Sequence, residues 1–465
     1  MQERSKHLSL NTPARASFYY LLANASAKAI GVISTPIFTR LISGEGYGEY
    51  TLYISRLAFL SVTLSALSCG VQSYVEMSKS KDKQDAYVSS LIGISLAFCA
   101  IICILLFTFS GILSLNRLTI VLLTLQLACD GILYVGNMRA KYFYSYKDVF
   151  LTSLCQSLIS VILSAALIVG AGLGYEARIW GLFIASTIVS LPLLSRILAK
   201  CPVLYSKDAW RAVIGRLAPI FPHTLSAALS LQIDRFIISA TLGTVALAKY
   251  SVAHSLAAAL TMLTGAASSA LGPWIMRKLN ARMNEAVAVI SLDSSILLST
   301  AIVALIAASP EAMSILAPKS YSDATVAVLP IALSALPTFI YSLGSTVLIH
   351  RGKSGRVSVC ALCSSLCAIL LGFLLIPRFS YFGAGVAHLI AQTVGALTVI
   401  TTLRTSGERI FSAAKTGAIF AITALLSLLA YATFGIPIFR IFILLAALFG
   451  MGLKLFRMRD MICEK

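Results

Sequence analysis

The sequence predicts an all-α polytopic membrane protein, and three observations predict it. Of its 465 residues, 58% are hydrophobic and only 12% are charged, about half the charged share of a soluble globular chain. Mean hydropathy is +0.88. Apolar runs of about 20 residues, the length that crosses a bilayer as a helix, recur along the whole chain. A large soluble helical protein does not fit this composition.

Charges, glycines and prolines bound fourteen such runs. The first, 17–39, lies between Arg15 and Arg40, and the second, 47–73, follows Gly44 and Gly46. The third, 87–110, starts after Asp85, and the fourth, 117–137, lies between Arg117 and Arg139. Asp148 and Gly172 bracket the fifth, 149–171, and Arg178 and Lys200 the sixth, 178–198. The seventh, 216–240, and the eighth, 246–274, meet at Gly243. The ninth, 286–308, ends before Pro310, and the tenth, 325–349, runs from Asp323 to Arg351. Pro377 and Arg378 separate the eleventh, 356–376, from the twelfth, 380–402. The last two, 412–431 and 436–455, meet at Gly435. An even number of spans puts both termini on one side.

The formal charge of +19 could suggest nucleic-acid binding, so its placement decides. Lys and Arg fall in small groups between the runs, not in one patch or arm, which is how cytoplasmic loops of an inner-membrane protein read. No nucleic acid is expected as a partner. With the N-terminus inside, 27 of the 37 basic residues lie in cytoplasmic segments and seven in outer ones. The first 16 residues are polar and basic, and the run that follows has full spanning length; this reads as an uncleaved first span with both termini cytoplasmic.

Internal similarity recurs at an offset near 200. Tyr50 aligns with Tyr250 and Thr51 with Ser251; Gly70 aligns with Gly272 and Gly181 with Gly385. An offset of six spans keeps orientation, so the expected organisation is two parallel six-helix lobes plus an extra pair. The expected segments are 1–208, 209–405 and 406–465. Cys360, Cys363 and Cys367 show C-x2-C-x3-C spacing, but their stretch holds no His or carboxylate. Small thiols packing a helix explain them better than a metal does. No metal or cofactor is expected.

Enzyme signatures are absent: no H-E-x-x-H, G-x-S-x-G or Walker loop occurs. The longest outer loop, 309–324, is too short for a catalytic domain, so the chain is not expected to be an enzyme.

Three basic residues remain inside the spans: Lys28, Arg56 and Arg235. Lys28 lies about 16 Å along the first span and Arg56 about 14 Å into the second, both near mid-bilayer. Facing lipid, each costs at least about 2.5–3.5 kcal/mol; facing a water-filled cavity, they form a phosphate-attracting site. The alternative is that each bonds backbone carbonyls or pairs with Asp130 of the fourth span. Asp234 and Arg235 lie about 27 Å along the seventh span, near the outer side. They read as a cavity rim or gate contact, or as a local pair with a snorkelling arginine. His254 is either a proton-dependent charge or a packing histidine. Asp130 in the fourth span is, like His254, a possible cavity or coupling residue, and Asp293 in the ninth span and His388 in the twelfth are candidates for ion coupling. Pro219, Pro222, Pro330 and Pro337 are expected to interrupt spans seven and ten.

The stretches "PIFTRLIS...YGEYTLY" at 36–53, "IDRFIIS..LG.....YSVA" at 233–253 and "IPRFSYFGAGVAHLIAQ" at 376–392 carry a family pattern. With the 6+6+2 arrangement, the chain resembles the polysaccharide transporters of the multidrug/oligosaccharidyl-lipid/polysaccharide exporter superfamily, and most closely the O-antigen (Wzx-type) flippases. The resemblance implies a V-shaped central cavity, alternating access, and undecaprenyl-diphosphate-linked oligosaccharide as cargo. It implies Lys28 and Arg56 as the diphosphate-binding cations and Asp234–Arg235 as the family's seventh-helix acidic–basic pair. Membrane lipids, a polymerase and a chain-length regulator are the implied partners. Some relatives bind sodium through carboxylates in helices seven, eleven and twelve; spans eleven and twelve here contain neither Asp nor Glu. A multidrug exporter of the same superfamily is the runner-up, and a membrane polymerase or ligase of surface-glycan synthesis the reading from another class.

Overall fold

The computed structural model describes residues 13–68, 84–111, 115–143, 145–407 and 410–463. Every regular element among the described residues is a helix. Lipid leaves backbone N–H and C=O groups no water to bond, so each segment must satisfy them internally. Nine of the described helices are long and apolar enough to cross a membrane. The lysines at 79, 81 and 83, Gly70, Arg4, Lys6, Arg409 and Lys465 lie outside the described residues. The chain divides into two compact units, Met1–Gln232 and Ile233–Lys465, and the division falls inside the seventh apolar run.

The first unit contains α1 (Pro13–Leu41), α2 (Gly44–Ser68), α3 (Gln84–Thr108), α4 (Arg117–Tyr142), α5 (Tyr146–Ala171), α6 (Glu176–Leu198) and α7 (Lys207–Ser230). α5 packs along α6 and α1, α4 lies between α3 and α6, and α2 rests on α4 and α7. Tyr53 and Leu64 of α2, Leu91 and Ile92 of α3, and Leu123 and Leu127 of α4 build its buried core. Small residues bring the helices close, because dispersion and not hydrophobic exclusion drives packing in lipid. Gly131 of α4 sits against Ser95, and Gly181 of α6 against Ser164. Hydroxyls inside the spans largely bond their own helix: Thr51 donates to the Tyr47 carbonyl and Ser55 to that of Thr51, each at 2.8 Å.

Two features tie the ends of this unit. Arg178, at the start of α6, lays its guanidinium over the Phe38 ring at 3.6 Å and the Tyr50 ring at 5.0 Å. The segment 201–206 crosses the start of α3. Ser89 Oγ donates to the Cys201 carbonyl at 2.6 Å, and Trp210 Nε1 donates to that of Ser90 at 3.2 Å. Leu204 lies between the anchored Cys201 and Trp210, and a Cβ at Gly93, one turn further along α3, would overlap its carbonyl.

The second unit contains α8 (Ile233–Leu242), α9 (Thr244–Asn280), α10 (Asn284–Ala307), α11 (Ser309–Leu316), a 3₁₀ turn (Lys319–Ala324), α12 (Thr325–Leu333), α13 (Ala335–His350), α14 (Ser354–Thr405), α15 (Ala413–Ala432) and α16 (Pro437–Cys463). α12 and α13 are its most enclosed span, packed by α9 and α14, while α15 and α16 both lie along α10. Arg440 of α16 is 7% exposed and forms a bidentate ion pair with Glu311 of α11, with N···O distances of 2.7 and 2.9 Å. Lys249 of α9 and Tyr381 of α14 converge on Asp323 at 2.8 and 2.6 Å.

The seventh run departs from expectation in where it breaks. The backbone stays helical through positions 219 and 222 and breaks at Leu231–Gln232 instead. A new helix starts there with Asp234 in its first turn, where an acid complements the positive end of the helix dipole. In the tenth run the helix steps at Ser334, between Pro330 and Pro337. The eleventh and twelfth runs are the two arms of α14, joined at Ser380 with φ 54° and ψ −143°. Pro377 precedes the joint, and Gly383 follows with its Cα against the Leu375 carbonyl. A side chain at positive φ stores about 1–3 kcal/mol of strain, while glycine forfeits about 0.5–1 kcal/mol through chain entropy. Ser380→Gly is therefore expected to stabilise the protein by roughly 1 kcal/mol. Thermal denaturation in detergent checks this, and a melting temperature below wild type would contradict it.

Candidate functional site

Lys28 and Arg56 lie on the two arms of the first hairpin. Each is about 20 Å from the α1–α2 turn at 1.5 Å per residue, so the helices carry their cations at one level. Lys28 is exposed and Arg56 half-buried. Neither forms an ion pair among the described residues, with Asp130 or any other carboxylate, although Glu49, also on α2, is within electrostatic reach of Arg56. The two cations have different supports: α1 packs along α5, whereas α2 packs along α4 and α7.

Asp130 lies mid-way along α4 in a neutral polar cluster. Its Oδ1 accepts from Gln126 Nε2 at 3.0 Å and its Oδ2 from Ser61 Oγ of α2 at 3.4 Å. Gln126 Nε2 also reaches Ser186 Oγ of α6 at 2.8 Å, and Gln156 Nε2 of α5 reaches the same oxygen at 2.8 Å. One carboxyl thus ties together side chains of four helices.

In the second unit Asp234, Arg235 and His254 come together. Asp234 Oδ1 accepts the Arg235 backbone N–H at 2.9 Å, capping the start of α8. Its Oδ2 accepts from the Tyr250 hydroxyl of α9. Arg235 Nη2 lies 3.4 Å from His254 Nδ1, and the His254 ring stands 5.9 Å from that of Tyr250. His388, from the second arm of α14, is within electrostatic reach of Asp234 and Arg235. Asp293 is half-buried on α10.

Sequence reasoning missed Tyr250 as a partner of Asp234, and Gln126 and Ser61 as partners of Asp130. Tyr250 had stood out only as the repeat partner of Tyr50. An amide and a hydroxyl within apolar runs, at Gln126 and Ser61, were the signals available.

Residues 14–279, more than half of the chain, match the family described as polysaccharide biosynthesis protein. The chain belongs to the polysaccharide biosynthesis protein family. The match covers α1 to α9 nearly in full, and with them Lys28, Arg56, Asp130, Asp234, Arg235 and His254. The fold of this polysaccharide biosynthesis protein is similar to that of lipid II flippase MurJ in an inward closed conformation. The TM-score is 0.71 at 14% identity, over 95% of this chain and 99% of that one. It is also similar to an outward-facing multidrug resistance MATE family transporter of the MOP superfamily (TM-score 0.59, 14% identity, 86% and 96% covered). A point mutant of the Vibrio cholerae MATE transporter VcmN gives a TM-score of 0.57 at 15% identity, with 85% and 97% covered. No curated protein sequence matches. The chain is thus a multi-span membrane protein whose fold is similar to those of these structures.

Proposed function

We propose that this polysaccharide biosynthesis protein is a flippase for undecaprenyl-diphosphate-linked oligosaccharide repeat units, of O-antigen or a similar surface polysaccharide. It works in a bacterial inner membrane, with both termini cytoplasmic, by alternating access coupled to an ion. The carrying observation is the pair of cations, Lys28 and Arg56, at one level of the first hairpin, neither in a direct ion pair among the described residues, with Glu49 on α2 acting on Arg56 only through its field. A cation left unpaired at that depth is retained for an anionic ligand. A diphosphate supplies adjacent negative charges, a guanidinium binds phosphate oxygens in a fork, and an ammonium adds a point charge. Asp234 and Arg235, braced by Tyr250 and His254, form the rim or gate. The lipid tail stays in the membrane while the glycan crosses, and a polymerase and chain-length regulator receive the product.

The test uses proteoliposomes and a fluorescent undecaprenyl-diphosphate oligosaccharide added to one leaflet. Protein-dependent appearance of the probe in the other leaflet is expected. Efflux of cationic dyes with no movement of the glycolipid would establish the drug-exporter reading instead.

A further inference from the structure

We propose that Asp130 is the proton-binding carboxyl of this protein. The role in transport rests on the ion coupling proposed above; the proton site itself does not depend on the cargo.

Among the described residues Asp130 has no counter-charge in contact, and both of its hydrogen-bond partners there, Gln126 and Ser61, are neutral donors. Among the described side chains, the groups that the elements packed on α4 offer toward it are uncharged. From α2 these are Ser61 and the Tyr53 phenol, and from α3 the Cys99 thiol. From α5 and α6 come Gln156 and Ser186, which reach it only through Gln126, and Thr187, bonded to Cys129. Arg56 on α2 makes no ion pair with it, and Arg139 of α4 is held by Asp85 at 2.7 Å. An ionised carboxylate without a counter-charge is costly in an apolar interior. Something must neutralise it.

The surroundings favour a proton over a metal ion. A metal needs several oxygen ligands turned toward it, whereas the amide group facing Asp130 Oδ1 is the Gln126 NH₂, a donor. Two buried polar atoms beside the cluster have no hydrogen-bond partner among the described residues: Gln126 Oε1, on a side chain 1% exposed, and the Tyr53 hydroxyl, on one 2% exposed. A protonated Asp130 is a new O–H donor beside acceptors that lack one. Once the proton leaves, the donors Gln126 and Ser61 remain to hold the carboxylate. Both states are thus provided for. Proton uptake is a simple addition to one carboxylate oxygen, with water on one side as source and water on the other as acceptor.

The test is infrared difference spectroscopy of the lipid-reconstituted protein across a pH series, in sodium and in choline buffers. A protonated-carboxyl stretch that titrates in wild type, is lost in Asp130→Asn and is the same in both buffers is expected. Gln126→Leu, which keeps the carboxyl but removes its partner, should shift the frequency of that band; this covers the case in which Asp130→Asn does not assemble. An identical band in wild type and Asp130→Asn overturns the proposal, as does loss of the band on adding sodium. In the liposome assay, a pH gradient should change wild-type transfer severalfold and leave Asp130→Asn unaffected. A titrating band with transfer that ignores the gradient would overturn the coupling role alone. Absence of any glycolipid transfer, with the band intact, would count against the cargo assignment and not against the proton site.

Discussion

Arg56→Ala is expected to abolish surface-glycan synthesis in a strain that lacks its own flippase, while its abundance in the membrane stays normal. Lys28→Ala should do the same. Leaving a buried charged group without its partner costs about 3–5 kcal/mol. Every 1.4 kcal/mol is tenfold, so removing either cation should slow transfer by roughly 10²- to 4 × 10³-fold. The two effects should not add, because both residues serve one diphosphate. Arg56→Lys separates charge from shape. It keeps the positive charge and loses the planar fork, so partial activity is expected where the fork matters. Folding should survive, since neither side chain anchors a helix: Lys28 is exposed and Arg56 half-buried, with no ion pair to break among the described residues. Full glycan synthesis by both alanine variants would sink the site.

Gly93→Leu is expected to prevent assembly of the first unit. The Leu204 carbonyl occupies the place of any side chain at position 93. That carbonyl cannot simply retreat, because its segment is pinned on both flanks by the Ser89–Cys201 and Trp210–Ser90 bonds. Even Gly93→Ala must displace backbone and break one of the two, at a cost of about 1–3 kcal/mol. With leucine the segment must leave the α3 surface altogether. Membrane abundance and the melting temperature in detergent provide the readouts. Gly170→Ala is the control, since nothing lies within 4 Å of a Cβ there. A Gly93→Ala protein that melts with wild type would show that the segment has room to move.

Much of the fold was legible because lipid imposes long apolar runs, and charges at their ends are conspicuous. The all-helical architecture followed from that alone. The seventh run shows where reading fails. Pro219 and Pro222 are loud signals, yet the helix continues past them and stops at Leu231–Gln232, a dipeptide with no breaker. Prolines in membrane helices can be absorbed when neighbouring groups satisfy the freed carbonyls, and only the packed structure reveals whether they are. The Ser380 joint was half legible, as Pro377 announced an interruption but not a continuous backbone through it. At the sites, counting residues from the first turn placed Lys28 and Arg56 at one level. Partnerships were not countable. Asp234 meets Tyr250 across the α8–α9 packing, and Asp130 meets Ser61 because α4 lies on α2. No spacing along one chain specifies such contacts.

One cation contact in each unit differs from the other in its sensitivity to salt. Asp323 holds Lys249 and Tyr381 at a partly exposed position, with 49% of the Asp323 side chain accessible. Mobile ions screen such a pair strongly, over a Debye length of about 8 Å at physiological ionic strength and about 3 Å at 1 M. Arg178 instead lies flat on Phe38 at 3.6 Å, and its attraction comes from contact with a ring face that counter-ions cannot enter. Concentrated salt therefore loosens the clasp on the second unit while leaving the arginine stack of the first in place. The two units of one chain thus carry different ionic sensitivities, written into the choice of carboxylate or aromatic ring as the partner of a cation.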